Sequence, residues 1–308
     1  MFFGHENVRS FFANAHKSGV LAHAYCLVGP DGVGKRTLAR EIAALLLATT
    51  PVRLEVQPNF FEMRRREDEK TGKLKKEIGV KDARELKARL GMGRWGGAYQ
   101  VAILDEAEFL NEEASNALLK LLEEPPAGSI LFLLTTDDQI LLPTIRSRVQ
   151  RINVQPLSDT ELSRALMAQG FAAHLIARAV ALSAGRPGVA LKLVGDEDAL
   201  KVCEQELQRL AQLIDQPLHT KIALVEDLFG ANDDHIRGRE KLIEALELWT
   251  LWWKQQLESR ASGAANSLAA AFTLTRISTI IDTALWTRQM LRKNIHPRLL
   301  VEHLLMHF

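Results

Sequence analysis

Gly29-Pro30-Asp31-Gly32-Val33-Gly34-Lys35 limits the architecture of this chain more than any other segment. It follows an apolar run at 25–28 and precedes an apolar-periodic stretch at 37–48, so it reads as strand, tight loop and helix. Gly29, Gly32 and Gly34 let backbone N–H groups turn inward around phosphate oxygens. The helix N-terminus adds partial positive charge, and Lys35 reaches the terminal phosphates. The full pattern sets Ser or Thr directly after the lysine, where the hydroxyl ligates magnesium. Arg36 stands there instead, and Thr37 comes one place late. One residue turns a helical side chain by about 100°. Thr37 therefore does not replace the missing hydroxyl, and the pattern argues against bound magnesium.

A second strand at 100–104 ends in Asp105-Glu106, a carboxylate pair at the C-terminal end of a buried strand, beside the phosphate loop in such sheets. Asp105 would hold magnesium through water, and Glu106 would orient the attacking water. Further apolar runs at 130–135 and 151–154 complete a set of four expected strands, with 130–135 central because it is apolar throughout. Helices are expected at 37–48 and at 111–122, the latter stopped by Pro125-Pro126, and Leu142-Pro143 opens a short one. Strands alternating with helices predict a parallel sheet covered by helices. After Pro156 only helical periodicity remains, with short helices at 158–194 and longer ones beyond. Trp249, Trp252 and Trp253 share one apolar helix face there, as core or a subunit contact. The expected domains are 1–157, 158–207 and 208–308.

Composition narrows the class of function. At 47% hydrophobic and 25% charged residues with a formal net charge of +1, the chain is of globular type and does not announce nucleic-acid binding. The basic stretch 64–76 reads as a solvated hairpin or loop, with a DNA-facing patch as the alternative. Two cysteines, Cys26 and Cys203, lack partners at metal-ligand spacing, so no zinc or other metal site is expected and a reducing cytoplasm is. Met1-Phe2-Phe3-Gly4-His5-Glu6 lacks a signal pattern, and no apolar stretch approaches the ~20 residues that span a bilayer.

Asp105-Glu106-Ala107-Glu108, the run Asn116 to Pro126 (NALLKLLEEPP), Thr135-Thr136-Asp137 and Leu142-Pro143-Thr144-Ile145-Arg146-Ser147-Arg148 follow in order. Together with His23-Ala24-Tyr25 and Asn294-Ile295-His296-Pro297-Arg298-Leu299, they closely resemble the clamp-loader branch of the AAA+ proteins. Within it, Gln57-Pro58-Asn59-Phe60, Ile78-Gly79-Val80 and Trp95-Gly96-Gly97-Ala98 are similar to the delta-prime branch rather than the ATP-hydrolysing gamma or tau branch. The resemblance implies an α/β AAA+ nucleotide-binding-type domain, a small helical lid and an all-α collar. It also implies gamma/tau and delta subunits as partners, with the sliding clamp and primed DNA met through the complex and no membrane. Many relatives carry a cysteine-rich zinc module after the first helix, but residues 47–58 hold no cysteine.

The family's Ser-Arg-Cys motif stands here as Ser147-Arg148-Val149, which keeps the arginine. By resemblance, Arg148 is the finger that reaches a neighbour's ATP, with Arg146 its competitor. Gly29, Gly32, Gly34, Lys35, Thr37, Asp105, Glu106 and Thr135 then form a degenerate site whose ligand would be ATP. The lid arginine of hydrolysing relatives falls at Gly188, with Arg186 offset. The expectation is a subunit in the polymerase III clamp loader that gives an arginine in trans and hydrolyses ATP poorly or not at all. The alternatives are an active gamma-type ATPase and a free-standing DNA-binding regulator.

Overall fold

The computed structural model describes residues 4–67, 72, 74–92, 96, 99–214, 216–229, 235–261, 272–292 and 295–308. Met1 to Phe3, residues 68–71 and 73 of the basic stretch, Trp95, Gly97, Ala98 and Asn294 lie outside them. The chain divides into two compact units, Met1–Leu191 and Lys192–Phe308.

In the first unit, β1 (Ala24–Val28), β2 (Phe60–Met63), β3 (Gln100–Leu104), β4 (Ser129–Thr135) and β5 (Gln150–Asn153) build one sheet in the order β2-β3-β4-β1-β5. Every neighbouring pair is parallel. β4 is the middle strand and buried along its whole length, as its unbroken apolar run requires. The sequence reading of four strands is one short. It passes over β2, an edge strand whose short Phe60-Phe61-Glu62-Met63 run is only partly buried and is followed by three arginines.

Strand side chains alternate between two cores, the period-2 consequence of the pleat. Tyr25, Leu27, Val101, Ile103, Phe132 and Leu134 face one side. There they pack on Phe12 of α1 (Glu6–Ser18) and on Leu38 and Ile42 of α2 (Lys35–Leu46). Cys26, Val28, Ala102, Leu104, Leu131 and Leu133 face the other, against Leu86 and Leu90 of α3 (Val80–Gly91) and Leu118, Leu121 and Leu122 of α4 (Glu112–Glu123). Cys26 is 1% exposed, and burial pushes its thiol up to about 12, so it acts as a small apolar side chain. The Asn111 side chain accepts from Ala114 N–H to start α4, which ends just before Pro125-Pro126.

α5 (Pro143–Arg146) joins β4 to β5. Helices α6 (Asp159–Ala168), α7 (Ala173–Ser183) and α8 (Pro187–Gly195) follow, α6 opening on a Ser158–Glu161 capping box. Among its described residues the second unit holds helices and no strand: α9 (Glu197–Leu213), α10 (Leu218–Val225), α11 (His235–Ala261), α12 (Leu274–Arg292) and α13 (Pro297–Leu305). Its core holds Trp249 and Trp253, both fully buried, with Trp252 packed against it. Among the described residues no helix is long and apolar enough to cross a membrane.

Candidate functional site

A cleft of about 930 Å³ opens at the carboxyl end of the sheet. Asp31, Gly32, Gly34, Lys35, Arg36 and Thr37 line it from the loop, Glu62 to Glu67 from the end of β2, and Asp105 and Glu106 from the end of β3; Gly188 lies at its rim. The loop needs its glycines. Gly32 and Gly34 have φ of +76° and +99°, and a Cβ on Gly29 would sit 2.3 Å from the Val154 carbonyl oxygen. Lys35 is 8% exposed and donates to the carbonyls of Gly29 at 2.7 Å and Pro30 at 3.2 Å. Its ammonium is thus gathered inside the loop, where phosphate oxygens would replace two carbonyls.

Two further loop carbonyls are also taken. Gly188 N–H donates to Gly32 O at 2.8 Å, and a His5 ring nitrogen lies 2.9 Å from Val33 O. A Cβ at Gly188 would approach Gly32 O to 3.0 Å, so the backbone contact leaves little room for a side chain there. Arg186 is buried, with Nε donating to Ser183 O at 2.9 Å.

Arg36, in the place of the magnesium-binding hydroxyl, donates to Glu62 of β2, and Arg40 donates to the same carboxylate. The hydrogen bond to Glu62 raises the guanidinium pKa above its ordinary value. Thr37 is exposed at the cleft wall. Asp105 accepts from Glu106 N–H at 2.9 Å, and burial raises its carboxyl to about 6. Glu106 is held by Arg65, Nη2 to Oε1 at 2.7 Å and Nε to Oε2 at 3.2 Å. Thr135 does not line the cleft. It is 1% exposed, and its hydroxyl donates to Asp137 O at 3.1 Å.

The loop does not fit a magnesium ion: where a ligating hydroxyl would stand, position 36 sets a guanidinium that donates to Glu62. Glu62 and Arg65 are absent from the sequence reading. Arg65 stood there only as part of the solvated basic stretch, and nothing in spacing pairs it with a residue 41 positions away. Arg66 pairs with Glu85 of α3 at 2.8 Å, and Lys75 N–H donates to Arg66 O at 2.9 Å.

Arg148 lies apart from the cleft lining, just after α5. Its Nη2 donates to Glu123 Oε1 at 2.9 Å and its Nη1 to Thr144 O at 3.0 Å, with the side chain 36% exposed. Arg146 donates to Gln139 Oε1 at 2.6 Å.

A family profile described as DNA polymerase III, delta subunit, matches residues 4–158. The chain is 33% identical over 213 residues to DNA polymerase III subunit delta' of Pseudomonas aeruginosa, with 63% of each chain covered. It is 34% identical over 174 residues to DNA polymerase III subunit tau/gamma of Haemophilus influenzae, covering 53% of this chain and 24% of that one. The chain thus spans less than two thirds of the length of these curated relatives. Among solved structures, a DNA polymerase III gamma subunit-related protein of Thermotoga maritima aligns over 98% of this chain and 97% of its own, at 18% identity and a TM-score of 0.46.

Proposed function

The chain belongs to the DNA polymerase III delta-subunit family, with relatives named delta-prime, and from that premise we propose that it is a clamp-loader subunit that completes a neighbour's ATP site instead of running its own. In this reading residues 1–157 are an AAA+ nucleotide-binding-type domain, residues 158–207 a lid and residues 208–308 a collar. The partners are gamma/tau and delta subunits, and the sliding clamp and primed DNA are engaged through the assembled complex.

One observation carries the reading: Arg148 presents a guanidinium at the surface, and its partners among the described residues are all exposed. Its pair with Glu123, half exposed on the acidic side, is worth roughly 0–1 kcal/mol. Triphosphate oxygens carry more charge and accept the same planar fork in two bonds. Set against a neighbour's γ-phosphate, the fork stabilises the charge that spreads over the equatorial oxygens as the bond to the leaving group breaks. Such a finger supplies roughly 10³–10⁵ in rate. The chain's own cleft supports the same reading, because Arg36 replaces a hydroxyl and Gly188 replaces an arginine.

The test is reconstitution with gamma and delta subunits, comparing wild type with Arg148→Ala. Assembly is retained and clamp-stimulated ATP turnover drops steeply; unchanged turnover removes the finger. A second reading, an ATP-hydrolysing subunit of the gamma/tau type, is favoured by the presence of Lys35, Asp105 and Glu106. Turnover by the purified chain that Lys35→Ala abolishes would establish it.

A further inference from the structure

β2 is an edge strand, with no described strand on its outer side. Val101 N–H donates to Asn59 O and Asp105 N–H to Met63 O, both at 2.8 Å. Asn59, Phe61 and Met63 therefore turn their backbone groups inward to β3, and Phe60 and Glu62 turn theirs outward. Phe60 N–H folds back to Gln57 O at 3.1 Å. Phe60 O and both backbone groups of Glu62 are left without a backbone partner among the described residues. A groove of about 540 Å³ is lined by this edge. Arg36 and Arg40 of α2 and the short turn Pro51–Val56 flank it on the face where Phe60 packs. Arg89 of α3 flanks it on the face where Phe61 packs. The groove thus opens between two helical layers, where a strand beside β2 would run.

We propose that this edge is a docking site for an extended acidic peptide segment, which joins the sheet as a strand beside β2. Its backbone takes the outward carbonyl and N–H groups, as strand addition at an open edge does. Charge selects the occupant. Four arginines and two glutamates line the groove. Glu62 holds both Arg36 and Arg40, and Arg40 also donates to Glu55 at 3.2 Å. Arg64 and Arg89 are exposed and pair with no carboxylate among the described residues, so carboxylates on the incoming strand fill that place. Aliphatic side chains alternating with the acids lie against Val56, which is 79% exposed. A second copy of this edge brings the same arginines, and like charges across a strand pair oppose it. Nucleic acid needs open ring faces for stacking. The Arg40 and Arg89 guanidiniums already lie over the Phe60 and Phe61 rings, 5.8 and 5.4 Å from their centres.

The experiment uses the purified full chain and a blocked, fluorescein-labelled heptapeptide of alternating glutamate and valine, with binding read by fluorescence anisotropy. Saturable binding with a dissociation constant below about 1 mM is expected. Arg64→Glu/Arg89→Glu, a change of two exposed side chains, weakens it at least about tenfold. N-methylation of every second residue of the probe separates strand addition from attraction by charge alone. In one register the methyl groups face β2 and affinity falls at least about tenfold, whereas in the other they face solvent and affinity holds. Binding weaker than about 1 mM, affinity indifferent to the two arginines, or an equal response to both methylated registers overturns the proposal. An oligothymidylate that displaces the probe, and itself binds less well to Arg64→Glu/Arg89→Glu, overturns it too and gives the groove to nucleic acid.

Discussion

Asp105→Asn should stabilise the first unit, and do so more as pH rises. The Asp105 carboxyl is raised from 3.8 to about 6, first by burial and then by the nearby Glu106 charge, against the Glu106 N–H bond and the cations Arg36 and Lys35. Below 3.8 the carboxyl is protonated whether the chain is folded or unfolded, and the group is neutral for stability. Between 3.8 and 6 the unfolded chain ionises first, so folded stability declines as pH rises. Above about 6 the loss is complete. The gap corresponds to a ceiling of about 3 kcal/mol, reduced to about 2 by the water that reaches a partly buried group. At pH 5 the loss is about half the ceiling.

Asparagine has the same shape, and its amide oxygen keeps the bond from Glu106 N–H, so the variant is spared this loss. Its advantage over wild type should be about 1 kcal/mol at pH 5 and about 2 kcal/mol at pH 8. Four of the five tryptophans lie in the second unit, so fluorescence reports the wrong region. Amide hydrogen exchange across β3 and β4 at the two pH values reads the first unit directly. A gain that is flat with pH, or larger at pH 5, refutes burial as the cause.

Two further outcomes test the packing. Gly29→Ala puts a Cβ 2.3 Å from the Val154 carbonyl oxygen, a backbone atom with no room to retreat, and should cost about 1–3 kcal/mol in urea unfolding of the first unit. A stability within error of wild type would mean that the loop and β5 do not meet. Trp253→Ala empties a fully buried site edge-on to Phe272 at 5.0 Å and to Trp252 at 4.9 Å. It should cost about 3–5 kcal/mol, seen as lost exchange protection along α11 to α13.

Much of the fold is readable along the chain because its signals are local. Unbroken apolar runs mark β1, β3 and β4 to within a residue, and Pro125-Pro126 marks the end of α4. β2 escapes because an edge strand needs only one apolar side, and Phe60-Phe61-Glu62-Met63 beside Arg64-Arg65-Arg66 carries too little of that signal. The same holds at the site. The glycine-rich loop, the arginine after its lysine and the carboxylate pair are contiguous motifs, so sequence alone determines that a glycine-rich turn leads into a helix and that two acids end a strand. Which partner each charge takes is set by proximity in space. Register beyond β2 and β3 brings Arg65 to Glu106, the meeting of α2 and β2 gives Glu62 to Arg36 and Arg40, and the α8 N-terminus meets Gly32. Ion pairs fall off over a few ångströms while the partners lie tens of residues apart, so only the tertiary structure decides whether a carboxylate beside the loop is available or already held.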